Sequence, residues 1–170
     1  MNIFYLDRDP EIAAQMMCDK HVVKMILESA QMLSTTHRVL DGDEYADDVG
    51  LYKMSHKNHP STIWVRSALA NYDWLLSHMS ALMREYTYRY GKHHATERLK
   101  TPLMRPPKNI DWTYSFSDPP QCMPDHCKNE DTVSAYHKYY IMEKSDFATW
   151  KRRDKPEQFN EREKGCTWDD

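Results

Sequence analysis

The sequence predicts an all-α fold, a mainly helical single domain over residues 1–150 with a polar C-terminal tail at 151–170. Three observations predict it. Apolar residues recur at helical steps through two long stretches, Asp9 to about Leu40 and His59 to Gly91, with no internal glycine and no proline beyond the first turn. A third such stretch runs from Asp131 to about Lys144. The balance of 40% hydrophobic and 29% charged residues with only 4 glycines excludes collagen-like, low-complexity and mostly disordered chains.

Each element has its own warrant. Ile3-Phe4-Tyr5-Leu6 is a short apolar run, either a strand or an extended arm against the core. Asp9-Pro10-Glu11 opens the first helix, with Asp as N-cap, Pro at the first helical position and an acid in the first turn. The stretch to Leu40 is long for a globular helix, so a break is expected at Cys18-Asp19-Lys20, with Asp19 capping the second segment. Residues 41–50 carry Asp41, Gly42, Asp43, Glu44, Asp47, Asp48 and Gly50 and read as a solvated acidic loop.

His59-Pro60-Ser61-Thr62 then starts the second long helix, which Gly91 ends. Its core stripe is Trp64, Ala68, Leu69, Tyr72, Leu75, Leu76, Met79, Leu82, Met83 and Tyr86. Pro102, Pro106, Pro107, Pro119, Pro120 and Pro124 make residues 102–128 a long loop, which also holds Trp112, Tyr114 and Phe116. No internal repeat is present.

A chain of 170 residues fits one domain and buries roughly two-thirds of its unfolded surface. No stretch approaches the ~20 apolar residues that span a bilayer, so no membrane partner is expected. Met1-Asn2-Ile3-Phe4-Tyr5-Leu6-Asp7 lacks a basic start and meets an acid at once, unlike a signal peptide. The expected location is therefore the cytoplasm, that of the host if the chain is phage-encoded. The cysteines Cys18, Cys122, Cys127 and Cys166 are few and read as thiols or metal ligands. At a net charge of −3, nucleic-acid contact must rest on local patches.

Three groups of residues carry candidate chemistry. His21, Lys24, Glu28, Gln31 and Thr35 recur at steps of three and four and share one helix face, while Val22, Val23, Ile26, Leu27, Ala30 and Leu33 cover the other. That face is either an ordinary solvated one or a set able to position, protonate and stabilise charge at a pocket. Arg84, Arg89, Lys92, Arg98, Lys100, Arg105 and Lys108, with Tyr86, Tyr88, Tyr90, His93 and His94 among them, form a basic and aromatic run. With Lys53, His56, Lys57, His59 and Arg66 it suits phosphate contact and base stacking, or else is a solvated helix end. Cys18, His21, Cys122, His126 and Cys127 hold enough soft ligands for zinc, although nothing in the spacing brings the two halves together. Phosphate-loop, dinucleotide-binding, zinc-protease and nucleophile-elbow motifs are absent, and no cofactor is expected.

Asp19-Lys20-His21, followed seven residues after the histidine by Glu28, resembles the first helix of the phage and bacterial pyrimidine-dimer DNA glycosylases of the endonuclease V type. His59-Pro60 leading through Tyr72 to Glu85, Arg89 and Lys92 is similar to that family's second long helix. Tyr136, Tyr139, Tyr140 and Trp150 resemble its aromatic C-terminus. The resemblance implies a DNA glycosylase with associated lyase activity, acting on duplex DNA at modified or damaged pyrimidines. The N-terminal amine would be the nucleophile at the sugar C1′, with Glu28 supporting the cationic sugar and the Schiff base that follows. An α-amino group titrates at about 8, so a useful fraction is neutral where lysine is not.

Carried over, Met1, Glu28 and His21 would be catalytic. Lys24, Gln31, Lys57, His59, Arg66, Arg89, Lys92 and Tyr136 would contact DNA. Two features depart from the small phage members. Asn2 leaves Met1 in place where they expose a small residue, and they lack the proline-rich loop. A transferase that modifies phage DNA bases on the same scaffold, and a non-enzymatic DNA-binding or zinc-stabilised interaction protein, are the alternative readings.

Overall fold

A computed structural model of the protein describes residues 1–164, and side chains to residue 160. Its helices are α1 (Pro10–Met16), α2 (Asp19–Asp41), α3 (Glu44–Val49), α4 (Pro60–Ser67), α5 (Leu69–Tyr90), α6 (Lys100–Leu103) and α7 (Thr132–Tyr139). There is no strand among the described residues, so the fold is all-α. Among the described residues no helix is long and apolar enough to cross a membrane.

Long α2 and α5 lie against each other, with α1 packed on α5 and α4 bridging both. Most of the expected stripe on α4 and α5 is core: Trp64, Tyr72, Leu75, Met79, Leu82, Met83 and Tyr86 are buried, while Leu69 and Leu76 lie half-buried at its edge. Ile3 to Leu6 form an extended arm that is buried at every residue.

The first helix starts as expected, the Asp9 carboxylate accepting the Glu11 and Ile12 amides. The break before α2 also falls where expected, but Cys18 holds the cap position and Asp19 is the first helical residue. Asp19 is occupied elsewhere. Its carboxylate pairs with Arg89 at 3.0 Å and accepts from Thr149 and the Lys151 amide.

Two expectations are corrected. The acidic stretch at residues 41–50 contains a helix, α3, rather than a free loop. Buried Arg38 on α2 organises it, donating to Asp43 and Asp47 at 2.9 Å each and to the Tyr52 and Leu51 carbonyls. The helix expected from His59 to Gly91 is two, because Ala68 is extended (φ −156°, ψ 146°). No glycine or proline marks this break. The proline-rich loop supplies the lost partner, the Asp111 carbonyl accepting the Leu69 amide at 2.8 Å, while Asn71 donates to the freed Trp64 carbonyl.

Asp131 caps α7 as a donor-satisfying acid, and the chain continues into one π-helical turn, Tyr140–Lys144. The stretch after Lys151 begins as a strap along the body. Arg153 pairs with Glu85, Arg152 donates to the Tyr88 carbonyl, and Phe159 is buried against Tyr140 and Trp150. Cys166 lies outside the described residues.

Candidate active site where the arm meets the second helix

The arm is fixed by its second residue. Asn2 Oδ1 accepts the amides of Ile3 (2.8 Å) and Phe4 (3.3 Å) and the Tyr136 hydroxyl (2.9 Å), and Nδ2 donates to the Cys122 carbonyl (2.8 Å). Tyr136 is itself held by the Pro120 carbonyl and the Cys122 amide, so α7 and the proline-rich loop grip the arm together. Phe4 bends the chain with φ of +54°, a conformation costing of order 1–3 kcal/mol for a residue with a side chain. The bend lays its ring on His21 with centroids 4.1 Å apart.

These restraints deliver the start of the arm to the middle of α2. The Met1 amino nitrogen lies 3.4 Å from Glu28 Oε1. The methionine side chain is tucked in at 2% exposure, and Glu28 is 13% exposed. Glu28 Oε2 is buried with no hydrogen-bond partner among the described residues. Leaving such an atom unpaired costs about 1–3 kcal/mol, and the exceptions concentrate where function requires them.

His59 caps α4 and completes the group. Its Nδ1 accepts the Ser61 amide at 3.1 Å, which assigns the ring proton to Nε2. Burial, then the nearby amino terminus and His56, push its pKa down, and Glu28 opposes this, so the imidazole shares the field of both partners.

The remaining expected residues divide. His21 is buried, with Nδ1 2.6 Å from the Tyr140 hydroxyl. Burial first, and then Lys144, Lys24 and Lys20, lower its pKa to about 3, so it stays neutral at physiological pH. Lys24 is exposed one turn before Glu28, Gln31 is half-buried and Thr35 is fully buried. Val23 and Leu27, expected on the core side, are exposed beside Lys24. Lys57 is exposed, and Arg66 reaches back to its carbonyl at 2.7 Å.

Arg89 and Tyr136 do not lie on a DNA-facing surface. Arg89 is 2% exposed and saturated by Glu85, Asp19 and the Gln15 carbonyl, and Tyr136 is buried against the arm. Lys92 is exposed beyond the end of α5, while Arg98 and Arg105 lie over the rings of Tyr52 and Tyr45. The basic run is thus dispersed by its own structural contacts.

Lys20 and Lys144, over the half-exposed ring of Phe147 at 4.8 and 5.8 Å, supply cations beside His21 instead. Sequence reading missed these, along with the anchoring role of Asn2. The Lys20 and Lys144 contact joins residues far apart in the chain, which no periodicity reveals. The five-residue zinc set also does not assemble. Cys18 and His21 surround Tyr140, and Cys122 Sγ lies 3.3 Å from the Ser61 hydroxyl. A cavity lined by Asp41, Glu44, Tyr45, Asp48, Arg105, Lys108 and Asn109 opens at the end of α2, roughly 20 Å along the helix from Glu28.

A family profile described as pyrimidine dimer DNA glycosylase matches residues 1–98, which is more than half of the chain and includes Met1, Glu28 and His59. No curated protein sequence and no solved structure matches.

Proposed function

The chain belongs to the pyrimidine dimer DNA glycosylase family, and on that premise we propose that it removes a damaged or modified pyrimidine from duplex DNA, with the Met1 amine as nucleophile and Glu28 as its carboxylate partner. The observation that carries this reading is the 3.4 Å approach of the amine to a carboxylate whose other oxygen has no hydrogen-bond partner among the described residues. The neutral amine attacks the sugar C1′. The glycosidic bond breaks and the base leaves with that electron pair. Glu28 stabilises the cationic sugar and takes the proton that the new C1′–N bond releases.

Ring opening then gives a C1′ Schiff base, and loss of a C2′ proton expels the 3′ phosphate, the lyase step. His59 stays close enough to bias proton movements between the two partners, and His21 acts as the platform for Phe4. Reaching C1′ in a duplex requires the nucleotide to be distorted or flipped. Lys20, Lys24, Lys57 and Lys144 would hold the phosphates, and Phe147 offers a stacking face. Burial of the Met1 side chain supports the reading, since a retained methionine leaves its amine at Glu28 and Asn2 serves as the anchor.

Borohydride reduction during turnover of dimer-containing duplex DNA is the test. The expected result is a covalent adduct that peptide mass spectrometry maps to the Met1 amine. Base release with no trapped adduct, or an adduct on a lysine, overturns the assignment of the nucleophile.

A further inference from the structure

A second constellation lies away from Glu28, in the part of the chain beyond the family match. The short 3-10 turn Asp125–Cys127 in the proline-rich loop faces the π-helical turn Tyr140–Lys144. Between them, one ligand atom each from His126, Cys127 and Glu143 lies within 4.8 Å of the others. His126 Nε2 and Glu143 Oε1 are 2.6 Å apart. Cys127 is fully buried, whereas His126 and Glu143 are 50% and 38% exposed, so the sulfur forms the floor and the other two an open mouth.

We propose that His126, Cys127 and Glu143 bind one zinc ion that clips the proline-rich loop to the π-helical turn after α7. Zinc bonds of about 2.0–2.3 Å in a tetrahedron set ligand atoms roughly 3.3–3.8 Å apart, within a small side-chain adjustment of this arrangement. A thiolate, an imidazole and a carboxylate form a borderline-soft set that suits zinc over calcium or magnesium. The thiol proton leaves to solvent on binding, and the thiolate and carboxylate together neutralise the metal charge. The neighbouring acid, Asp125, pairs with Lys128 at 2.9 Å, which leaves the fourth position to water.

The clip has a mechanical consequence. Cys122, five residues before Cys127, is the point at which the loop grips both Asn2 and Tyr136. A metal at Cys127 therefore fixes the proline-rich loop that holds the arm, independently of the chemistry assigned to Glu28.

The test uses the full chain, stripped with a chelator and titrated with zinc against a chromophoric competitor. One equivalent should bind and raise the thermal midpoint. Glu143→Gln and His126→Asn, both at exposed positions, should weaken binding at least roughly tenfold while leaving the metal-free midpoint unchanged. Cobalt(II) in place of zinc should give a thiolate charge-transfer band that disappears in Cys127→Ser. Absence of stoichiometric zinc binding, or affinity unchanged in both exposed-site variants, overturns the proposal.

Discussion

Two carboxylates on the two long helices are treated in opposite ways. Glu85 on α5 is 4% exposed and saturated: Oε1 accepts from Arg89 (2.9 Å) and Arg153 (2.8 Å), and Oε2 from Arg153 (3.0 Å). Burial opposes its ionisation, but the hydrogen bonds from Arg153 and Arg89 outweigh it and hold the carboxyl below its ordinary range. Glu28 on α2 has one oxygen facing an amine at 3.4 Å and the other buried without a hydrogen-bond partner among the described residues. Fully connected polar networks rigidify a fold, whereas a half-satisfied group marks a place where stability yields to function. Glu85 ties α1, α5 and the C-terminal strap together, and Glu28 is held ready.

The contrast breaks most sharply at Glu28. Glu28→Gln keeps the shape and removes the charge, so single-turnover base release should fall about 10²–10⁴-fold. Duplex binding and the thermal midpoint should stay close to those of the native chain. Full activity in this variant would sink the catalytic assignment, and a collapse of the midpoint would make Glu28 architectural like Glu85.

Arg89→Met supplies the converse. It removes the arginine that Glu85 and Asp19 share, leaving Glu85 to Arg153 and Asp19 to Thr149 and the Lys151 amide, and breaking such a network from one side costs about 3–5 kcal/mol. For a chain of this size that lowers the midpoint by about 10 °C, measured by thermal denaturation. Salt-dependent DNA affinity of whatever folded protein remains should be unchanged, because Arg89 is sealed from solvent. Selective loss of DNA binding at an unaltered midpoint would restore Arg89 to the DNA surface and defeat the comparison.

Much of this was legible in the sequence, and the pattern of what was not is physical. Local signals worked: Asp9-Pro10 set the start of α1, His59-Pro60 that of α4 and Gly91 the end of α5, because capping and proline chemistry act within a few residues. Ala68 carries no breaker, and the chain departs from the helix there because a carbonyl from residue 111 takes the Leu69 amide. The stripe through His21, Lys24 and Glu28 was visible as spacing, yet its companions Asn2 and Phe4 act through tertiary contacts. Arg89 and Lys92 look alike as cations in a run. Only packing separates a saturated arginine from a solvated lysine.

The same comparison extends along the pH axis, with the smallest of these effects. The pKa of His21 falls from an ordinary 6.5 to about 3 on folding, so the unfolded chain binds the extra proton between those values. Stability from this group is complete above pH 6.5 and declines as the pH falls toward 3. His37 and His78, each lowered chiefly by burial to about 4, act in the same direction. Glu85 responds in a different window. Its lowered pKa contributes stability above an ordinary 4.5 that is lost only as the pH falls further. Between pH 6.5 and 5.5 the histidines titrate alone of these two groups, each contributing about 1 kcal/mol across that unit as the unfolded imidazole goes from half to mostly protonated. His21→Gln removes one of them, so chemical denaturation should give a stability curve shallower by that amount over this interval and parallel to the native curve below pH 3. Identical slopes would mean that His21 is solvated and protonated in the folded chain, and the stacked platform beneath Phe4 would lose its physical basis.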